Sequence, residues 1–360
     1  LTQKFEVLFS QEHGCKFGVF CNSGTSALHI ALAALKEKYN WKEKDEVIVP
    51  AVSFIATSNV VLHNNLTPVF VDVEKDTYNI NPDLIEEKIT SKTRAVIPVH
   101  LFGLPADMSS IIKICQKHNL RLIEDSCETM FANYKGKKVG SFGDIGCFST
   151  YIAHFLVTGI GGLCTTNDPD LAVILRSLMN HGRDSIYLSI DDDNKTDYQL
   201  FQVVERRFKF IRLGHSFRAT ELESAIGLGQ LEQKNKIISK RRANARYLTR
   251  GLQNLEEYLQ LPYIPDDRDH NFMMYPVVVK KGGKKNLVHF LEKNLIETRD
   301  MMPLVNQPIY LKLFGKIEDE FPVAKWINKN GFYIGCHQYL TKDELNYVIA
   351  KFHQFYKRNE

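Results

Sequence analysis

The chain has 360 residues, of which 44% are hydrophobic, and this is enough for a large core shared between one large domain and a smaller one. The 46 basic residues are interspersed with 42 acidic ones, so the net charge of +4 gives no footprint of nucleic-acid binding. No apolar run approaches the ~20 residues that a membrane-spanning helix needs.

Seven cysteines occur singly, without a Cys-x-x-C pair. The odd count and wide spacing predict reduced thiols, and therefore a cytoplasmic protein, and do not predict ligands for an iron–sulfur cluster. The chain begins at Leu1, without a methionine, within a pattern typical of a helix. We therefore expect an N-terminal segment to precede it.

The first half of the chain predicts alternating helices and strands. A helix over 23–38 begins at a Ser-Gly-Thr turn and carries Leu28, Leu32 and Leu35 at helical spacing. We further predict strands over 47–50, 69–73, 95–99 and 121–124, and helices over 54–64, 84–89 and 108–118. Such alternation is typical of a mostly parallel sheet covered by helices, with ligands beyond the carboxyl ends of the strands. Asp125 and the Gly24 turn are therefore expected to face one crevice.

The second half predicts a change of architecture. Residues 191–195 form a polar run (Asp-Asp-Asp-Asn-Lys), interpreted as the tip of an excursion from the sheet. A long helix over 220–252 is expected to leave the large domain. A strand over 274–279 and helices over 286–294 and 342–357 favour an α+β C-terminal domain. We therefore predict a large α/β domain over 1–235 and a small domain over 236–360.

Six motifs follow one another in a fixed order. They are Asn22-Ser23-Gly24-Thr25-Ser26-Ala27-Leu28, the stretches 50–57, 99–108 and 123–128, the loop 144–162, and the stretch 214–222. Together they resemble the DegT/DnrJ/EryC1/StrS family of sugar aminotransferases and dehydratases, from about Phe5 to the C-terminal region. The resemblance implies the PLP-dependent transferase fold-type I and pyridoxal 5'-phosphate (PLP) as cofactor.

The loop 144–162 has the shape of a PLP attachment loop, but His154 stands where a lysine is expected. Imidazole cannot form a stable imine with the cofactor aldehyde, yet it exchanges protons near its ordinary pKa of ~6.5. Within the family, the chain resembles the lysine-free 3-dehydratases, which carry histidine at this position. They also carry glutamate in an Asp-x-Cys-Glu stretch, where Glu128 stands here. A core histidine replacing a lost lysine is the alternative for His154.

The resemblance also implies which residues hold the cofactor. Gly24, Thr25 and Ser26 at a helix start would bind its phosphate, with Ser149 adding a hydroxyl. Asp125 would pair with the pyridine nitrogen, Phe54 would stack on the ring, and Glu128 would contact the ring hydroxyl or the imidazole. The alternatives are an ordinary turn, a helix cap, a core aromatic and a surface carboxylate. Ser216 and His181 lie where relatives contact the sugar or the partner subunit's cofactor.

The reaction implied is removal of the C3 hydroxyl from a nucleotide-linked 4-keto-6-deoxy sugar by the pyridoxamine 5'-phosphate (PMP) form. His154 would be the acid and base, and L-glutamate would regenerate PMP. Arg218 and Arg299 are candidates for binding a carboxylate or phosphate of these substrates; the alternative is a solvated or salt-bridged arginine. A homodimer is expected. An aminotransferase with a replaced lysine and a catalytically silent PLP-fold protein remain as alternatives.

Overall fold

The computed structural model of the chain describes residues 1–184, 196–206, 208–302 and 304–357. The predicted polar loop at 191–195 lies outside these ranges. The helices are α1 (Thr2–Glu12), α2 (Gly24–Lys38), α3 (Ala56–His63), α4 (Met108–Lys117), α5 (Pro169–Met179), α6 (Asp197–Arg206), α7 (Glu221–Leu252), α8 (Lys284–Lys293), α9 (Pro308–Phe314), α10 (Pro322–Asn330) and α11 (Lys342–Lys357).

The strands alternate with these helices in the first half of the chain and form separate sheets. They are β1 (Phe17–Cys21), β2 (Glu46–Pro50), β3 (Thr67–Val71), β4 (Thr93–Val96), β5 (Arg121–Asp125), β6 (Asn133–Tyr134), β7 (Lys137–Lys138), β8 (Ile145–Ser149), β9 (Gly162–Thr166), β10 (Leu259–Gln260), β11 (Met274–Val279), β12 (Thr298–Asp300) and β13 (Gly331–Gly335).

The main sheet has seven strands in the order β1-β9-β8-β5-β4-β2-β3. Neighbours from β8 to β3 pair in parallel, and β9 runs antiparallel to both β8 and β1. Most residues of these strands are buried, as expected when helices cover both faces. The predicted α/β fold with a mostly parallel sheet is confirmed. The carboxyl ends of β1, β2, β5 and β8 therefore meet at one edge.

Helix α2 begins as its sequence predicts. Ser23 is its extended N-cap, and the Ser23 Oγ accepts a hydrogen bond from the amide of Ser26 at 3.0 Å. Leu28, Leu32 and Leu35 are buried against the sheet. This helix start lies directly after the carboxyl end of β1, so the positive end of its dipole faces the shared edge.

The helix predicted over 84–89 is wrong. The chain instead forms two 3₁₀ turns, Pro82–Leu84 and Glu86–Lys88, and Ile89 is already extended. Asn81 accepts a hydrogen bond from the amide of Asp83 at 3.0 Å and so closes the first turn tightly. Six residues are too few to offset the entropy of starting an α-helix.

A second sheet of four antiparallel strands has the order β10-β11-β13-β12. Helix α7 passes through the predicted boundary at 235 without interruption. Its Ile237 belongs to the core of the main sheet, whereas Ala245 and Leu248 belong to a second core with β11 and α11. The division at 235 stays a proposal.

The C-terminal half also packs directly on the main sheet. Asp72, which follows β3, accepts hydrogen bonds from the amides of Val323 (2.8 Å) and Ala324 (2.9 Å) at the start of α10. Tyr310 and Ile327 are fully buried in the main core. The carboxylate therefore caps α10 and fixes the C-terminal segment beside the main sheet.

In the described part of the chain, no helix combines the length and the apolar character needed to cross a lipid bilayer. The seven cysteines all lie in described ranges and are free thiols. The cytoplasmic location remains a prediction.

Candidate active site

A cavity of about 400 Å³ opens at the edge where the carboxyl ends of the parallel strands meet. Such an edge is where α/β proteins bind ligands. Of the residues predicted for the site, those that line the cavity are Gly24, Thr25, Phe54, Asp125, Glu128, Ser149 and His154. The structure thus brings together residues that are up to 130 positions apart, counted from Gly24 to His154.

One end of the cavity is built from the N-terminus of α2. Within the described residues, the amides of Gly24 and Thr25 have no acceptor, since they precede the first intrahelical bond, which Ala27 donates to Ser23. Ser26 was predicted to bind the cofactor phosphate, but both of its donors are already used. Its amide donates to Ser23 Oγ at 3.0 Å, and its hydroxyl donates to Asn22 Oδ1 at 2.7 Å. It stabilises the helix start and does not line the cavity.

Gly24 is required here by close packing. A Cβ on Gly24 would lie 2.6 Å from the Cβ of Ser149 and 2.9 Å from the Sγ of Cys127. The Ser149 hydroxyl therefore lies beside the free amides of α2. Two amides, a hydroxyl and a helix dipole make a cradle that suits a phosphate group.

Asp125, at the end of β5, is the buried carboxylate of the cavity. Thr57 Oγ1 donates to its Oδ2 at 2.8 Å, and the amide of Cys127 donates to its Oδ1 at 3.2 Å. Burial raises the pKa of Asp125, and the two hydrogen bonds partly oppose this. A cationic N–H placed against the carboxylate would stabilise its charged form. Thr57 was not predicted: the motif 50–57 contained it, but no local signal showed where its hydroxyl points.

The structure contradicts the alternative interpretations of Phe54 as a core aromatic and of Glu128 as a surface carboxylate. Phe54 is 58% exposed and lines the cavity, so it is not a core aromatic. Glu128 is only 5% exposed, so it is not a surface carboxylate, and its Oε2 accepts a hydrogen bond from the amide of Phe102 at 2.9 Å. Burial, with Asp125 nearby, raises the pKa of Glu128 to about 7. Its carboxyl can therefore gain or lose a proton near neutral pH.

His154 lies in the loop between β8 and β9 and lines the cavity. Its Nδ1 is 3.4 Å from Ser149 Oγ, and its amide donates to the carbonyl of Tyr151 at 2.9 Å. Burial lowers the pKa of the imidazole to about 4, so it is neutral, and able to accept a proton, at pH 7. Among the described residues that line the cavity, none is a lysine.

Two predicted substrate residues, His181 and Arg218, and the predicted cofactor-binding residue Ser216 lie outside the cavity. The amide of His181 donates to the carbonyl of His215 at 2.8 Å, and Arg218 Nη2 donates to Ser216 Oγ at 3.0 Å. Ser216 and Arg218 are exposed and flank the end of β1, because Cys21 bridges to Arg218. These three residues therefore lie on the segments that follow α5 and pair with the end of β1, and none of them lines the cavity.

Arg299 is exposed on β12 and forms an ion pair with Glu297. It does not line the cavity, but its neighbour in the sheet, Tyr333, does. The C-terminal half adds a part of the wall that the sequence did not predict, formed by Met273, Met274, Met302 and Tyr333. No spacing in the sequence connects these C-terminal residues with the motifs of the first half.

Together, the fold and the site indicate a PLP-binding protein. A phosphate cradle, a buried carboxylate at a strand end and an exposed aromatic ring line one cavity of a mostly parallel sheet. These features fit PLP, which needs an anion site, a partner for its pyridinium nitrogen and a flat apolar contact.

Comparison with known proteins agrees with this. The model of the DegT/DnrJ/EryC1/StrS aminotransferase family matches residues 1–353, and the chain belongs to this family. GDP-perosamine synthase from Caulobacter vibrioides is 34% identical, over 98% of this chain and 89% of that protein. GDP-4-keto-6-deoxy-D-mannose 3-dehydratase from Escherichia coli O55:H7 is 32% identical, over 96% of this chain and 90% of that enzyme.

A solved structure extends the comparison to the cofactor. It is the crystal structure of GDP-4-keto-6-deoxymannose-3-dehydratase with a trapped PLP-glutamate geminal diamine. It superposes with a TM-score of 0.87 and 30% identity, covering 97% of this chain and 92% of that chain. The predicted family and fold are confirmed, and at the level of the family so is the PLP cofactor.

Proposed function

We propose that this protein is a PLP/PMP-dependent 3-dehydratase of a nucleotide-linked 4-keto-6-deoxy sugar. The observation that carries the proposal is that the cavity presents an imidazole, His154, and no lysine among its described lining residues. A site without an amine cannot tether the cofactor covalently, but an imidazole there can move protons. The proposed setting is deoxysugar synthesis for a surface polysaccharide.

The residues of the cavity would hold the cofactor without a covalent bond. The amides of Gly24 and Thr25, with the Ser149 hydroxyl, would bind its phosphate. Asp125 would face the ring nitrogen, and Phe54 would cover one face of the ring. When bound, the cofactor supplies an electron sink conjugated to the carbon skeleton of the sugar.

His154 would exchange the protons of the reaction. Its Nδ1 faces Ser149, so Nε2 remains to accept a proton and then to donate it to the departing C3 hydroxyl. The low pKa of His154 suits the accepting step, because the imidazole starts neutral. Glu128, whose pKa is raised to about 7, would hold a second proton close by.

The second candidate is a sugar-nucleotide aminotransferase. It is favoured by the similarity to GDP-perosamine synthase, which is as high as the similarity to the 3-dehydratase. Transamination through repeated cycles normally uses a lysine amine that takes over the imine bond and so releases the amino product from the cofactor. The absence of a lysine from the described cavity wall favours dehydration.

The substrates would enter from the side bordered by exposed cationic and polar groups. Arg218 and His181 are proposed to bind the sugar nucleotide, and Ser216, which accepts a hydrogen bond from Arg218, is proposed to contact the cofactor. Arg299, next to Tyr333, is proposed to bind a carboxylate or a phosphate once it leaves Glu297. L-Glutamate is the proposed amino donor that regenerates PMP.

Product analysis tests the proposal. With PMP, L-glutamate and GDP-4-keto-6-deoxymannose, we expect a 3-deoxy-4-keto sugar nucleotide by mass spectrometry, with ammonia and 2-oxoglutarate released in equal amounts. An amino sugar formed without ammonia would establish the aminotransferase instead. Formation of neither product from several 4-keto sugar nucleotides, with PMP bound, would indicate a catalytically silent protein.

A homodimer is also proposed. Large apolar side chains are exposed on α6, after it and at the start of α7: Phe201 (59%), Phe208 (77%), Leu213 (96%) and Leu222 (76%). Large apolar side chains that are exposed together in one stretch of the sequence indicate an interaction surface. We expect sedimentation velocity to give twice the mass of the chain, and Leu213→Asp to shift it towards the monomer. A monomer at every concentration would contradict this.

A further inference from the structure

Arg241 of α7 is a buried cation without a carboxylate partner in the described part of the chain. It is only 4% exposed. Its Nη1 donates to the carbonyls of Phe272 (3.3 Å) and Met273 (2.8 Å), and its Nε donates to Gln338 Oε1 at 3.0 Å. Burial lowers the pKa of Arg241 to about 10. Burying a charge that is held only by neutral acceptors costs free energy of folding. The groups that surround this charge therefore indicate its functional role.

The guanidinium lies against the loop that carries His154. Its central carbon is 5.1 Å from the centroid of the Phe155 ring, a distance typical of a cation–π contact. Phe155 is fully buried, whereas Tyr151 and Ile152 on the other side of His154 are exposed. Phe155 thus anchors the loop at the residue next to the imidazole, and Arg241 fixes that anchor.

We infer that Arg241 is a positioning residue: it fixes His154 through its contact with Phe155, and its uncompensated charge adds to burial in keeping the imidazole neutral and able to accept a proton. This inference rests on the proposed function, because it concerns the group that exchanges protons there.

The charges around His154 agree with this role. Burial is the main cause of its lowered pKa; the hydrogen bond with Tyr151 opposes it, and the positive charge of Arg241 adds to it. The other titratable groups around the cavity are Asp125, Cys127, Glu128, Tyr151 and Tyr333. None of these can become positive, and Asp125 and Glu128 would favour the imidazolium when ionised. Arg241, which does not line the cavity, is the cation that opposes protonation of His154 among the causes of its lowered pKa.

The C-terminal stretch Cys336-His337-Gln338 supports Arg241. Asn244 Nδ2 donates to the carbonyl of His337 at 2.8 Å, which places the amide of Gln338 against the guanidinium. Cys336 Sγ donates to the carbonyl of Arg241 at 3.6 Å. Because Gln338 is neutral, it holds the guanidinium without cancelling its charge. A glutamate at this position would form an ion pair and remove the effect.

Titration of His154 by NMR tests the inference. Full-length protein labelled at histidine Cε1 is loaded with PMP, and the His154 signal is assigned with His154→Gln. We expect Arg241→Gln to raise the pKa of His154 measurably, since removing a nearby like charge favours the imidazolium. Gln338→Glu should raise it similarly while retaining Arg241. Arg241→Lys, which keeps the charge, should leave it nearly unchanged.

Arg242→Gln is the matched control. Arg242 is the adjacent residue, but it pairs with Asp269 at 3.0 Å and with Asn271, so its replacement should not move the titration. The acid limb of the turnover–pH profile should move to higher pH in Arg241→Gln and Gln338→Glu alone. An unchanged pKa in both variants, or an equal rise in Arg242→Gln, would overturn the inference. If Arg241→Gln does not fold, Gln338→Glu decides.

The two proposals fail in different ways. If the Arg241 and Gln338 variants move the titration while His154→Gln keeps full turnover, the proposed catalytic role is wrong and the electrostatic inference stands. If His154→Gln loses turnover and no variant moves the titration, the inference alone is wrong.

Discussion

Replacement of His154 by alanine is expected to lower turnover by about 10²- to 10⁴-fold, the usual contribution of a positioned acid–base group. The cavity would lose the neutral imidazole that faces Ser149 at 3.4 Å. The phosphate cradle, Asp125 and Phe54 would be untouched. The affinity for PMP, followed by the absorbance of the bound cofactor, should therefore stay close to that of the unaltered protein.

His154→Gln is the control that separates proton transfer from packing. A glutamine fills a similar space and keeps a hydrogen-bonding amide near the position of Nε2, but it cannot carry a proton through the reaction. Both variants should lose turnover equally. Recovery of most of the activity in the glutamine variant would show that the imidazole acts by position alone. Full activity in both would remove His154 from the mechanism.

Asp125→Asn is expected to produce the second large loss, roughly 10²-fold in turnover, or about 3 kcal/mol, which is typical for removal of one preorganised electrostatic group. Asparagine keeps the shape of the side chain and can still accept from Thr57. It cannot keep the pyridine nitrogen of the cofactor protonated. Steady-state kinetics with saturating PMP measures the effect.

The stability of the same variant provides an independent check. Burial raises the pKa of Asp125 above its unfolded value, so its ionisation at neutral pH opposes folding of the cofactor-free protein. Asp125→Asn without cofactor should therefore melt no lower than the parent. Thr57→Val removes one hydrogen bond and retains the charge, so its loss of turnover should be much smaller. An equal loss in both variants would contradict the assigned role of the charge.

Much of the fold follows from local patterns. The strand at Met274–Val279 and the helix at Lys342–Lys357 were predicted with the observed bounds, because apolar periodicity and flanking turns mark both ends. The alternation of strands and helices in the first half of the chain predicted the mostly parallel sheet. The prediction over 84–89 differs from the structure because so short a stretch can form 3₁₀ turns instead of an α-helix. Asn81 caps the first of these turns.

The pattern of strands and helices predicted only that Asp125 and the Gly24 turn converge, because both follow strand ends of one sheet. The family resemblance, and not the topology, placed His154, Phe54, Glu128 and Ser149 in the same site. Tyr333 and the methionines approach from the C-terminal half, and the sequence contains no local sign of this. Arg241 was missed for a similar reason: its contact with Phe155 spans 86 positions and depends on how α7 packs.

The shared wall of the cavity has a thermodynamic consequence. Gly24, Asp125 and His154 come from the main-sheet side, whereas Met274 and Tyr333 come from the second sheet. A ligand that fills the space between them binds only when the two halves are docked, so its binding free energy is added to that of docking. The cofactor would thus act as a non-covalent clamp, joining two parts of one polypeptide in the absence of a lysine tether.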